Sequence, residues 1–438
     1  MSKPIKFIHT ADIHLGRELS YNGLIDFDNK KIFRNAAKKA FENLVDLAVT
    51  EQVDFILIAG DLYDREARSV KASRFFLEKT EYLEQKGIDL FLISGNHDPA
   101  GVENEIFELP DNVHYFSSEE VETFEYQKGG RLAARIIGQS YRQKFESRTM
   151  YNYYNASDNS VFNIGMLHTA LTKDSNRYVP VNKSELLTKN QINYWALGHI
   201  HQYQKLNEEA AIYFSGCLQA HNISEEGKKG VILVEVDSNL KSREKFIPLA
   251  PVIYRQLEID LTAEELNNIS ELERLLKNKI EELRNKIILQ NKGQRYKIEA
   301  VIIRLLLKGR TNLQHYIENN SEELEETLLK EFRSFGFNQN PLCWLHSIIF
   351  RTAKSLPKAA ELKKNNSLYQ NIEDLINEIL SDEKLNQELL AEWGQIWQAA
   401  QDPEDRGNLK FYPDQKLQQD ILAEAKRIII SELIEDGD

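Results

Sequence analysis

One pattern recurs along the chain: a short apolar run stops abruptly at a polar cluster that carries chemistry. Phe55-Ile56-Leu57-Ile58-Ala59 stops at Gly60, Asp61 and Asp64. Ile5-Lys6-Phe7-Ile8-His9 leads to Asp12 and His14, and Leu90-Phe91-Leu92-Ile93 to Gly95-Asn96-His97-Asp98. Residues 162–167 stop at His168, and Tyr194-Trp195-Ala196-Leu197 at Gly198-His199-Ile200-His201. Near-continuous apolar runs predict strands covered on both faces, each delivering a polar side chain at its C-terminal end. Between the first runs the period changes. Ala36, Ala37, Ala40, Phe41, Leu44, Val45 and Ala48 have helical spacing, as do Phe75, Phe76, Leu77, Tyr82 and Leu83. Ser69 is placed to cap the second helix and Gly87 to stop it. Strand, helix, strand, helix, strand predicts a parallel core with right-handed crossovers.

From about 110 to 250 helical spacing is scarce. Short strands are expected at 113–116, 121–126, 132–138, 161–167, 194–197, 211–214, 230–236 and 244–247, with the Asn- and Tyr-rich stretch 151–160 as loop. The expected fold class is α/β, a two-sheet α/β sandwich. Pro248-Leu249-Ala250-Pro251 reads as its boundary. Residues 251–320 read as a small α+β cap domain, with strands at 252–261 and 298–307 around a helix at 263–289. Residues 321–438 are expected to form a helical C-terminal region. Its apolar stripes are Ile372, Leu375, Ile376 and Ile379, then Trp393, Ile396 and Trp397, then a third within 413–434. Such stripes pack on each other or dock a partner.

Charge and cysteine content narrow the partners and the compartment. The 438 residues carry a net charge of -13, and residues 1–250 and 251–438 are each acidic. A protein gripping phosphate backbones unaided would be basic, so a local patch or a partner must supply that grip. Cys217 and Cys343 are the two cysteines, which disfavours a disulfide framework and a thiolate zinc site. There is no membrane-length apolar run and no signal peptide, so the expected location is cytoplasmic.

The polar clusters read as a metal site. Asp12 and His14 stand two apart, and in extended backbone such residues point the same way; His199 and His201 repeat the spacing. Asp61 offers a carboxylate able to bridge two ions, Asn96 a neutral oxygen and His168 an imidazole. Sharing Asp61 gives each of two ions four ligands. An N/O set without thiolate suits manganese, iron or zinc. A two-metal site activates a hydroxide and clamps a phosphoryl oxygen. A histidine after an apolar run, taken alone, is more often a packed core residue. Five ordered clusters at strand ends outweigh that reading.

Asp12-x-His14, Gly60-Asp61-x-x-Asp64, Gly95-Asn96-His97-Asp98, His168 and Gly198-His199-x-His201 resemble the signature of the calcineurin-like metallophosphoesterases. His9-Thr10-Ala11-Asp12-Ile13-His14-Leu15-Gly16 is similar to the SbcD-type bacterial DNA repair exonucleases. The YhaO-like branch is suggested by Gly216-Cys217-Leu218-Gln219, by Glu226-Gly227-Lys228-Lys229-Gly230 and by Leu305-Leu306-Leu307-Lys308-Gly309-Arg310-Thr311. The resemblance covers roughly residues 5–315. It implies that Asp12, His14, Asp61 and His201 hold one metal, and Asp61, Asn96, His168 and His199 the other. It implies that His97 is catalytic, meeting the phosphate or protonating the leaving oxygen, with Asp64 orienting it. It further implies a manganese-dependent DNA exonuclease subunit in DNA end processing or repair, working with an SMC-like coiled-coil ATPase, with a homodimer allowed and no membrane role. The rivals are another calcineurin-like phosphodiesterase or phosphatase with a small-molecule substrate, and a non-enzymatic scaffold that binds DNA ends for an ATPase. Arg17, Arg65 and Arg68 follow metal loops and could meet DNA phosphates. His221 could line the site. Asp98 reads as a cap or loop anchor, and His9 as packed in its strand.

Overall fold

A computed structural model describes residues 3–382, apart from 24, 26, 65–68, 101–106, 174–176, 208–209, 337–339 and 355–366, and a few positions beyond 382. The chain alternates β1 (Ile5–Thr10), α1 (Phe27–Thr50), β2 (Phe55–Ala59), α2 (Val70–Glu84), β3 (Asp89–Ile93) and β4 (Val113–Tyr115). The strands β1 to β4 pair in parallel. Ser69 caps α2 by accepting the Ala72 amide. The chain continues through β5 (Glu122–Gln127), β6 (Leu132–Gly138), β7 (Phe162–His168), α3 (Lys183–Thr188), β8 (Tyr194–Gly198), β9 (Gln204–Lys205) and β10 (Ala211–Phe214). Two antiparallel strands, β11 (Gly230–Val236) and β12 (Ser242–Pro248), return to the first sheet. One sheet therefore runs β12-β11-β1-β2-β3-β4 and the other β5-β6-β7-β8-β10-β9.

The alternation of side chains along the central strands explains the continuous apolar runs. Ile8, Ile56, Ile58, Leu90 and Leu92 face the helices, against Phe41, Leu44 and Phe76. Phe7, Phe55, Leu57, Phe91 and Ile93 face the second sheet, against Ile136, Ile164, Met166 and Tyr194. Phe7 and Phe55 stack there with ring centroids 5.1 Å apart. A strand covered on both faces has no polar side to show. The outer face of the second sheet is covered by the segment expected to be loop. It contains a 3-10 turn, Met150–Tyr153, and plugs Tyr151 and Tyr154 against Trp195 and Leu197. Tyr154 donates to the Met166 carbonyl at 2.6 Å.

A third sheet, β13 (Val252–Asp260), β14 (Ala300–Thr311) and β15 (Leu342–Lys354), carries α4 (Ile269–Asn291) and α5 (Gln314–Gly336). The strand β15 corrects the expectation of helices throughout residues 321–438. Cys343, Trp344, Leu345, Ile348, Ile349 and Phe350 form a run rich in β-branched and aromatic residues, which fits a pleated surface. Trp344 packs with Val252, Tyr254, Ala300 and Ile302 onto Leu19, Phe33 and Ala36, joining the cap to α1. Its indole N–H donates to the Tyr21 carbonyl at 2.6 Å.

Residues Met1–Gly309 and His315–Thr352 form one compact unit, and Arg310–Gln314 with Ala353–Asp438 a second. The described part of the second includes a helix, α6 (Ser367–Ser381), on which Leu375 and Leu380 are exposed. Trp393, Ile396 and Trp397 lie outside the described residues, as does most of 413–434. Among the described residues no helix is long and apolar enough to cross a membrane.

The inter-sheet core sets the stability of the strand ends. Replacing Phe55 by Ala should destabilise the protein by about 3–5 kcal/mol, because the buried ring leaves a cavity. A urea unfolding midpoint equal to that of the parent would contradict this packing.

Candidate metal centre

The ends of β1, β2, β3, β7 and β8 meet at one place. Just past these strands the backbone is not extended. Asp12, His14, Asp61 and His199 have positive φ of 49°, 47°, 53° and 97°. The extended geometry expected for Asp12-x-His14 is therefore corrected: tight left-handed turns aim these side chains, and alternation along a strand does not. Four non-glycine residues in this region within one site is strain held by the surrounding fold. Hydrogen bonds stitch the turns together. The Asp12 amide donates to the Gly60 carbonyl at 3.0 Å, and the His14 amide to the Asp61 carbonyl at 3.1 Å. Gly60 itself has φ 95°, and a Cβ there would run into the His168 ring.

The side chains then converge. Asp12, His14 and His168 are fully buried, and Asp61 nearly so. His14 Nε2 lies 3.3 Å from His201 Nε2, and His201 Nε2 lies 3.8 Å from Asp12 Oδ1. On the other side, Asn96 Oδ1 lies 3.0 Å from His168 Nε2 and 2.9 Å from His199 Nδ1. Asp61 stands between these groups. Its Oδ1 accepts the His97 amide at 2.9 Å. Its Oδ2 lies 3.9 Å from His14 Nε2 and 3.5 Å from His168 Nε2. Ligand atoms of Asp12, His14 and His201, and again of Asp12, Asp61 and His168, lie within 4.8 Å of one another. Two buried carboxylates, each accepting one backbone amide, converge with imidazole nitrogens as a donor set that fits divalent cations.

Electrostatics point the same way. Burial pushes the His14 imidazole far down and His199 down to about 3, so both are neutral. Burial acts to lower His168 too, but the Asp61 carboxylate outweighs it and lifts the ring to about 9. Asp61 is pushed up by burial, yet His168 and His14 hold it well below the usual carboxylate range. His168 Nδ1 faces the Ala59 carbonyl at 2.9 Å, which directs Nε2 inward.

Neighbouring groups sort by geometry. His97 Nδ1 is 3.6 Å from Asp64 Oδ1, with 36% of the His97 side chain exposed. Arg17 is paired with Asp64 at 3.3 Å. Arg65 and Arg68 lie outside the described residues. Asp98 accepts the Gly95 amide at 2.8 Å and the Tyr63 amide at 3.1 Å, so it anchors two site loops to each other. His9 lies within its strand, with Tyr194 Oη 3.0 Å from Nδ1 and the Leu197 carbonyl 3.2 Å from Nε2. His221 stands beside His14, ring centroids 5.7 Å apart. Two contacts had no signal in the sequence pattern. Tyr178 lies against His199 with ring centroids 4.5 Å apart, and Tyr141 donates to the His168 carbonyl at 2.7 Å.

Residues 5–203 match the family model described as calcineurin-like phosphoesterase. The uncharacterized metallophosphoesterase YhaO of Bacillus subtilis is 36% identical over 313 residues, spanning 68% of this chain and 75% of that one. The chain belongs to the calcineurin-like metallophosphoesterases. It is thus a member of a hydrolase family built on a dinuclear metal centre, and its candidate ligand groups lie where the strand ends meet. Similar proteins include the SbcD subunit of nuclease SbcCD from Staphylococcus epidermidis, 27% identical over 58% of this chain and 72% of that one. Another is the DNA double-strand break repair protein Mre11 of Archaeoglobus fulgidus, 27% identical over 51% of this chain and 52% of that one.

The raised His168 pKa yields a pH dependence for this metallophosphoesterase. A metal ligand must be deprotonated, whereas His168 in the metal-free protein holds its proton up to about pH 9. Were His168 to hold an ion, uptake at pH 7 would release a proton from this ring, and affinity would rise as pH rises toward 9. Calorimetric titration of manganese in buffers of different ionisation enthalpy should show net proton release. A heat independent of the buffer would contradict it.

Proposed function

We propose that this metallophosphoesterase is a manganese-dependent DNA exonuclease subunit acting in DNA end processing or repair. The observation that carries the reading is the division of labour around Asp61. Its Oδ2 faces two donor sets, while His97 is held by Oδ1 through its amide and leaves its ring at the open edge. Asp12, His14, Asp61 and His201 would hold one ion, and Asp61, Asn96, His168 and His199 the other. Two divalent ions supply Lewis-acid activation of water and neutralise charge on the transferring phosphoryl group.

The chain's own residues do the rest. Asp61, pinned by the His97 amide, holds its second oxygen between the two sets. The His97 imidazole meets the phosphate and gives a proton to the departing sugar oxygen. Asp64 Oδ1 stands 3.6 Å from Nδ1 of that ring, and a small closure to hydrogen-bond distance would fix which nitrogen faces the substrate. Arg17 holds the Asp64 carboxylate in turn. The names of two relatives support a nucleic-acid substrate: one is a nuclease subunit and one a DNA double-strand break repair protein. The net charge of -13 supports a partner that shares the grip on DNA, in our reading an SMC-like coiled-coil ATPase. The exposed Leu375 and Leu380 on α6 suit a docking helix for it. We place this assembly in the cytoplasm, and the reading allows a homodimer.

End-labelled linear DNA incubated with manganese, with and without the candidate ATPase, should be shortened from its ends. Substitution of His97 by Ala should lower turnover by about 10²- to 10⁴-fold with metal content unchanged. Asp64→Asn should give a smaller loss. Cleavage of a chromogenic phosphodiester without cleavage of DNA would overturn the substrate assignment. Parent-like rates in His97→Ala would remove that ring from the mechanism.

A further inference from the structure

The stretch from Gly216 to Gly230, singled out in the sequence as a motif, contributes none of the candidate ligands, yet it wraps around one of them. Gly216 has φ 74°, and a Cβ there would come within 2.7 Å of the Tyr203 amide nitrogen and 3.1 Å of the His201 carbonyl. Glycine thus lets this loop press against residues 201–203. Cys217 donates its amide to the His201 carbonyl at 3.2 Å, and the buried Lys229 ammonium donates to the same oxygen at 2.8 Å. The ring is held as well. Glu225 Oε1 lies 3.2 Å from His201 Nδ1, on the side of the ring away from His14 and Asp12.

The candidate imidazole ligands differ in what fixes them. His14 is locked by complete burial, and its Nδ1 has no hydrogen-bond partner among the described residues. His168 is fully buried and its Nδ1 faces the Ala59 carbonyl. His201 keeps 25% of its side chain exposed. The χ2 torsion of histidine is broad and roughly two-fold, so packing on one side does not decide which nitrogen faces the centre. A carboxylate on Nδ1 does decide it, and raises the basicity of Nε2. Glu225 is itself set in place by the His221 amide at 2.9 Å and the Asn222 side-chain amide at 2.5 Å. Cys217 also lies in this cluster, its Sγ 3.5 Å from the His201 carbonyl and 3.7 Å from the Glu225 carboxylate.

We propose that Glu225 is the positioning residue of His201, a carboxylate–histidine pair that sets the affinity of one ion of the two and leaves the other alone. The inference rests on the two-ion reading of the centre, and not on its substrate. It is tested on the full chain by titrating manganese into metal-free protein, with electron paramagnetic resonance to separate a coupled ion pair from single ions. Parent protein should bind two ions per chain and give the coupled signal. Glu225→Ala should weaken one binding step by about 10- to 100-fold, and at limiting manganese give the signal of a single ion. Glu225→Gln retains an acceptor for Nδ1–H and should recover part of that loss. Glu225→Gln also keeps an acceptor for the His221 amide, so the melting temperature of that metal-free variant should stay near the parent's. Glu226→Gln is the control, since Glu226 faces Arg255 at 3.6 Å and should bind as the parent does. Parent-like affinity for both ions in Glu225→Ala would overturn the proposal. So would equal loss of both ions together with a lowered melting temperature, the mark of a merely structural role. A parent protein that binds only one ion would instead defeat the two-ion reading itself.

Discussion

Two carboxylates, Asp12 and Asp61, are buried at the C-terminal ends of adjacent parallel strands, and the rest of the site follows from having to hold them there. Burial of an unpaired charge is expensive. The chain offers them few formal cations: the facing groups are imidazoles, of which His14 and His199 are kept neutral by the same burial. The backbone supplies partial compensation, with the His97 amide on Asp61 and the His199 amide on both oxygens of Asp12 at 3.0 and 3.1 Å. What remains is buried carboxylate facing the neutral His14 and His199 rings and a protonated His168, whose proton a divalent ion would displace. Positive φ at Asp12, His14, Asp61 and His199 is the accompanying backbone cost, sustained because the two sheets behind these turns are tightly packed.

The parts of this protein that are legible in the sequence are those written with local periodicity. Strands β1, β2 and β3 announce themselves because both faces are buried, and α2 because Ser69 and the apolar spacing agree. The site is legible because each strand end carries its polar residue in sequence with an apolar run. The strand β15 escapes such a reading because its apolar run follows the helical pattern of α5 and lies beyond the range of the family motifs. The turns that aim Asp12 and His14 escape it too, since Asp-x-His spacing does not encode φ. Glu225 leaves no trace because its partner, His201, lies 24 positions away, across a loop with no period.

Arg17 and Asp98 show how far local reading reaches. Both sit beside site motifs. Asp98 holds the Gly95 and Tyr63 amides, and Arg17 pairs with Asp64. Asp98 is thus the loop anchor that its sequence position suggests, whereas nothing in the sequence around Arg17 signals its pairing with Asp64. The acidic net charge belongs to the same account: nothing in the overall composition suits a phosphate backbone, so the DNA grip proposed above would have to be local or shared.

Asp61 would be shared by the two ions, since its Oδ2 lies 3.9 Å from His14 Nε2 and 3.5 Å from His168 Nε2. Anomalous diffraction from manganese-soaked crystals tests it most directly. Two peaks about 3.5–4 Å apart, both within reach of the Asp61 carboxylate, are expected. A single peak held without Asp61, or two peaks too far apart to share its carboxylate, would contradict it.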